Sequence, residues 1–134
     1  MKTTALPRLL LSTLLLLGSP LLLSHSPVLH AATVDLAEQM KQMKVAYRNA
    51  MRSESLPAFV QHYQHLKTIT RQSAQQHYPA SRDAQMIYQQ GFEQLQKDYA
   101  MIEQAIARQD LAAAKAALEK VRQTEKTYHQ KLDV

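Results

Sequence analysis

Residues 110–132 read DLAAAKAALEKVRQTEKTYHQKL. Within them Leu111, Ala114, Leu118, Val121, Glu125, Tyr128 and Leu132 recur every three or four positions. That spacing lines side chains along one stripe of an α-helix. Asp110 stands just before the first of them, where a carboxylate can accept from the helix's free N–H groups. The stretch is rich in Ala and poor in β-branched residues, so its local preference and its periodicity agree.

The same rhythm appears three more times upstream. A first helix is predicted from about Asp35 to Arg52, with Leu36, Met40, Met43, Tyr47 and Ala50 as its stripe. Asp35 followed by Glu38 resembles a capping box, and acids suit the positive start of a helix. After a short turn at residues 53–55, Ser55 is the expected cap of a second helix, which tolerates Pro57 in its first turn. Its face carries Phe59, Tyr63, Leu66, Thr70 and Ser73, flanked by Val60 and Ile69, and it should stop before Pro79. Tyr78-Pro79-Ala80-Ser81 reads as the next connection, with Ser81 capping a third helix striped by Tyr88, Phe92, Leu95, Tyr99, Ile102 and Ile106. Short loops between long helices force antiparallel neighbours. The expected fold is all-α, a closed left-handed up-down-up-down four-helix bundle.

The first residues do not fit this scheme. Lys2 and Arg8 precede a leucine-rich run from Leu9 to Leu23, broken by Gly18 and Pro20 and ending in a polar stretch and Ala31-Ala32. That pattern is a secretory signal cleaved near Ala31 or Ala32; Gly18, Pro20 and Pro27 argue against a retained anchor. The expected division is residues 1–31 as signal peptide and 32–134 as the bundle, exported by a bacterium and not membrane-bound after cleavage. There is no Cys among the 134 residues, which excludes disulfides, thiolate metal sites and thioether-linked haem. Loss of Lys2 and Arg8 lowers the net charge from +5 to about +3, spread along the helices. Without Trp or a basic-aromatic patch, nucleic acid is not an expected partner.

In such a bundle the early turns of the first helix and the last turns of the fourth share one end. Met40 lies on the former and His129 on the latter. A thioether and an imidazole facing each other there are a natural axial pair for a b-type haem. Alone, each has a plainer reading: Met40 as core filler, with Met43 its twin one turn deeper, and His129 as a solvated terminal residue. Glu125 interrupts the apolar stripe one turn before His129, so this end is either wet or holds something other than side chains. Its carboxylate either accepts a hydrogen bond from the His129 ring or points to water. His62 and His65, three apart on helix 2, have the spacing of a metal pair but no evident third ligand. His77 decorates a helix end. No nucleophile–base set, spaced acid pair or phosphate loop occurs, so no enzyme is expected.

The tail Tyr128-His129-Gln130-Lys131, the start Asp35-Leu36 with Met40 following, and Gly91-Phe92 together resemble the soluble cytochrome b-562 family. Members of that family are standing examples of up-down-up-down bundles, so the resemblance implies the topology independently of loop lengths. It covers nearly all of the chain after the leader. It implies one non-covalent haem b, Met40 and His129 as axial ligands of the iron, and Phe92 packed on the porphyrin. A periplasmic, monomeric electron carrier with an unidentified redox partner protein would follow. The chain departs from the family at Glu125, where members carry Arg, and at Asp133, where they carry a basic residue. Both changes add negative charge beside the haem, which weakens its binding, lowers its reduction potential, or both. The alternative from another class is a haem-free periplasmic bundle with a partner-binding or stress role.

Overall fold

Each helix begins where a side-chain acceptor meets its first free N–H groups. Asp35 accepts from the Ala37 N–H at 2.9 Å, Ser55 from Ala58 at 3.4 Å, Ser81 from Ala84 at 3.2 Å and Asp110 from Ala113 at 2.8 Å. The computed structural model describes residues 35–134, so the leader and its cleavage position lie outside the described residues. Helix α1 spans Leu36–Arg52, α2 Leu56–Ala74, α3 Arg82–Ala107 and α4 Leu111–Leu132. Pro57 sits in the first turn of α2, where it removes no intrahelical hydrogen bond. The capping box at α1 is only half made. Glu38 turns to Lys41 at 3.7 Å and Gln42 at 3.5 Å instead of back to the cap.

The second connection is longer than the sequence implied. Helix α2 ends at Ala74, several residues before Pro79. A residue preceding proline is biased away from helical geometry, and Tyr78 finds other partners. Its N–H donates to Gln85 Oε1 at 2.6 Å, and its ring stacks on Tyr88 with centroids 5.2 Å apart.

The four helices form the antiparallel up-down-up-down bundle that the stripes predict. Its neighbours are unequally spaced. Helices α1 and α2 pack closely, as do α3 and α4, whereas the α2–α3 and α1–α4 seams meet at few points. Short or hydrogen-bonded side chains line the close approaches. Gln39 and Ala46 of α1 and its C-cap Ser53 recur every seven positions and are buried, as are Gly91, Asp98 and Ala105 on α3. Phe59, Tyr63, Leu66, Tyr99, Ile102 and Leu118 fill the core between. Each wide seam is bridged by a tyrosine, a glutamate and a cation. The Tyr47 hydroxyl donates to Glu119 Oε2 at 2.5 Å across α1–α4, with Arg122 3.7 Å from the same carboxylate. Across α2–α3, Tyr63 donates to Glu103 at 3.1 Å and Lys67 pairs with that carboxylate.

Candidate functional site

Where α1 begins and α4 ends, the wide seam opens into a cavity of about 460 Å³. Five positions of α1 line it: Leu36, Ala37, Met40, Met43 and Tyr47. Helix α3 supplies Tyr88, Gly91, Phe92, Leu95 and Tyr99, and α4 supplies Val121, Thr124, Glu125, Tyr128, His129 and Leu132. Leu66 and Thr70 of α2 form its floor, and Tyr78 of the second connection closes one side. The size lies within the range of small-molecule and cofactor sites, and the walls are mainly aliphatic and aromatic, as such sites require.

Met40, Phe92 and His129 therefore meet at one cavity although the chain separates them widely. Met40 is half-buried and Phe92 is buried, its ring edge-on to Tyr88 with centroids 4.7 Å apart. The His129 side chain is 36% exposed, and Nδ1 lies 4.0 Å from Glu125 Oε1. Glu125 keeps 54% of its side-chain surface in water, so it stands at the mouth and not in the interior. Its place in the apolar stripe reflects this open end.

Met43 is placed differently from its twin. Its sulfur lies 3.3 Å from Thr70 Oγ1, which also contacts the Tyr99 hydroxyl at 2.7 Å. The network continues around the floor. Tyr88 donates to the Ser73 carbonyl at 2.5 Å, and the Ser73 hydroxyl donates to Gln39 Oε1 at 3.0 Å. Burial pushes the Tyr88 hydroxyl up to about 12, with neighbouring Tyr78 adding to the effect. Tyr99 also rises to about 12, chiefly through burial, with Glu125 and Asp98 contributing against the opposing Thr70 hydrogen bond. These phenols stay neutral near physiological pH, which keeps the interior apolar. The cavity's charge is thus confined to its rim.

Gly91 has a steric task here. A Cβ at this position would lie 3.1 Å from Tyr128 Cγ and 3.2 Å from Cδ1. Its absence lets the Tyr128 ring press against α3, with Lys131 Nζ 4.4 Å from the ring centroid on α4. The sequence reading also missed Asp98, which is 1% exposed yet satisfied, accepting from Thr124 Oγ1 at 2.5 Å and Gln94 Nε2 at 3.1 Å. The seven-residue column through Gly91 and Ala105 was the available signal.

The histidines of α2 gather no site. His62 is half-buried and His65 exposed, and among the described residues no three His, Cys, Asp or Glu side chains converge. His77 is exposed beyond the end of α2. No helix among the described residues is long and apolar enough to cross a membrane.

The family model for cytochrome b562 matches residues 35–133, from the cap of α1 to the left-handed residue that ends α4. No curated protein matches the chain. With nearly the whole bundle covered, the chain belongs to the cytochrome b562 family.

Proposed function

We propose that this protein is a periplasmic electron carrier that holds one non-covalent b-type haem, with Met40 Sδ and His129 Nε2 as its axial ligands. The observation that carries the reading is that Met40 and His129, from the first and last helices, line the same cavity. The donor set fits haem iron, which accepts thioether and imidazole together. Family membership supports the cofactor, and the apolar walls suit a porphyrin face.

Each residue has a definable task. Phe92, Leu36 and Leu95 offer the flat and aliphatic surfaces against which a macrocycle packs, excluding water from its faces. Met40 is favoured over Met43 because the Met43 sulfur already lies against Thr70, deeper in the core. His129 presents Nδ1 toward Glu125, leaving Nε2 as the nitrogen free to ligate. Bound haem would supply a one-electron couple between ferric and ferrous iron. With Met40 and His129 both holding the iron, no open site would be left for oxygen or peroxide, which favours carriage of electrons over catalysis. A thioether raises the potential relative to paired imidazoles. We assign residues 1–31 to a signal peptide that exports residues 32–134, a monomer whose redox partner is another protein.

Haem titration of the purified protein tests this. Stoichiometric uptake with a sharp reduced α band is expected. A colourless protein unchanged by haem would overturn the reading in favour of a haem-free bundle. In the loaded protein, Met40→Ala should convert a low-spin spectrum to high-spin. An unchanged spectrum would move the ligand role to Met43.

A further inference from the structure

The rim of the cavity carries a carboxylate that the ligand assignment does not use. Glu125 lies one turn before His129 on α4, and its Oε1 is 4.0 Å from Nδ1 of that ring. The separation is longer than a hydrogen bond, but Glu125 is half in water and free to rotate toward the imidazole. Its charge also reaches inward, adding to the burial that holds the Tyr99 hydroxyl neutral. Elsewhere on the rim, Ala37 and Leu36 offer no cation that would draw Glu125 away. Along α4, Arg122 lies one turn before Glu125 but stands 3.7 Å from the Glu119 carboxylate, Lys126 is exposed, and Lys131 is engaged over the Tyr128 ring.

We propose that Glu125 is a positioning residue for His129: its carboxylate accepts the Nδ1 proton, fixes the tautomer and ring plane that turn Nε2 into the cavity, and holds the bound haem iron toward its ferric state. The inference rests on the axial role proposed for His129. A ligating histidine commonly donates its second N–H to a carboxylate, and that contact raises the basicity of the ligating nitrogen. A more basic ligand stabilises the higher oxidation state, so reduction becomes harder.

The test uses the haem-loaded protein and the variants Glu125→Gln and Glu125→Asp, read by potentiometry and by low-temperature EPR of the ferric form. Glu125→Gln keeps the shape and removes the charge. It should change the ferric-over-ferrous binding ratio by about tenfold, which is a rise of about 59 mV for one electron. Its amide oxygen can still accept from Nδ1–H, so the low-spin g values should stay close to those of the wild type. Glu125→Asp keeps the charge but shortens the reach, so it should raise the potential and broaden the low-spin g values as the ring loses its preferred plane. Far-UV CD and denaturant unfolding establish that each bundle is intact, as an exposed position allows. A Glu125→Asp variant with wild-type potential and EPR would overturn the contact, leaving only a through-space charge. Wild-type potential and EPR in both variants, with the low-spin spectrum retained, would overturn the proposal and leave the axial assignment standing. A low-spin spectrum that survives His129→Ala would overturn the axial assignment and this inference with it.

Discussion

Gly91 is the residue whose replacement divides stability from ligand binding. It sits in the interior of α3, where alanine is favoured over glycine by about 1 kcal/mol in an exposed helix. An added Cβ would crowd the Tyr128 ring at 3.1–3.2 Å and its Cβ at 3.3 Å, tighter than ordinary contact. The ring is half-buried and one of its sides faces the cavity, so it has room to yield in that direction. Gly91→Ala should therefore leave the apo bundle within about 1 kcal/mol of wild type while weakening haem uptake several-fold, measured by urea unfolding and haem titration. A variant that is more stable and binds haem equally well would show that Tyr128 is not confined by α3. Asp98 illustrates the opposite case. Its carboxylate is the acceptor for Thr124 and Gln94 in a buried position, so Asp98→Ala strands both donors. The expected cost is about 1–3 kcal/mol in the apo protein, and a double-mutant cycle with Thr124→Val should recover part of it. Neither residue was legible from hydropathy. An acid beside an apolar stripe ordinarily faces water, and only its seven-residue spacing from Gly91 and Ala105 marks it as interior.

Among the elements, local chemistry and long-range spacing were legible to different degrees. All four caps could be read from the sequence because a cap depends on a few neighbouring residues: Asp35, Ser55, Ser81 and Asp110. The early end of α2 was missed because Tyr78 is turned by its contacts with Gln85 and Tyr88, which belong to another helix. Seam widths were not legible either, since a stripe says which face is buried and not how near the partner comes. The α2–α3 seam gives a test at this scale. The carboxyl of Glu103 is held below its ordinary value of 4.5, chiefly by the hydrogen bond from Lys67 against the opposing effect of burial, with the Tyr63 hydroxyl adding to the lowering. A lowered carboxylate contributes stability that is present above the unfolded value and is lost as pH falls through the folded one. Glu103→Gln should then be less stable than wild type at neutral pH by about 0.2–1 kcal/mol, the range for a partly exposed pair. The difference should vanish in acid, below the folded-state value. A deficit that persists there would mean that the glutamate acts through packing and not through its charge.

At the scale of the molecule, the bundle is two helical hairpins joined across seams of unequal chemistry. The α2–α3 seam has the Tyr63–Glu103–Lys67 bridge and a filled aromatic core, with Tyr63 edge-on to Tyr99 at 5.7 Å. The α1–α4 seam has the Tyr47–Glu119–Arg122 bridge at one level and the cavity above it. Burial pushes Tyr47 up to about 12, its hydrogen bond to Glu119 adding to the rise, so that bridge stays intact across the neutral range. The sequence located both ends of this arrangement, because the up-down order of four helices is enough to bring Met40 and His129 to one pole. What it left unread is that the helices carrying them stand apart. A ligand bound by Met40 and His129 at once would connect two neighbouring helices that protein contacts join at only a few points. Haem should therefore act on the stability of the whole bundle and not of one hairpin. At free haem about 100 times its dissociation constant, binding to the folded state alone adds about 2.7 kcal/mol. For a domain of this size that is a rise in Tm of about 10–20 °C, growing with haem concentration. Met40→Ala and His129→Ala should each shrink the shift at fixed haem, while the apo forms melt within a few degrees of wild type because both residues are only half-buried. Calorimetry at two haem concentrations checks this. A Tm that ignores haem concentration, or that rises equally in both variants, would place the ligand elsewhere than across the α1–α4 seam.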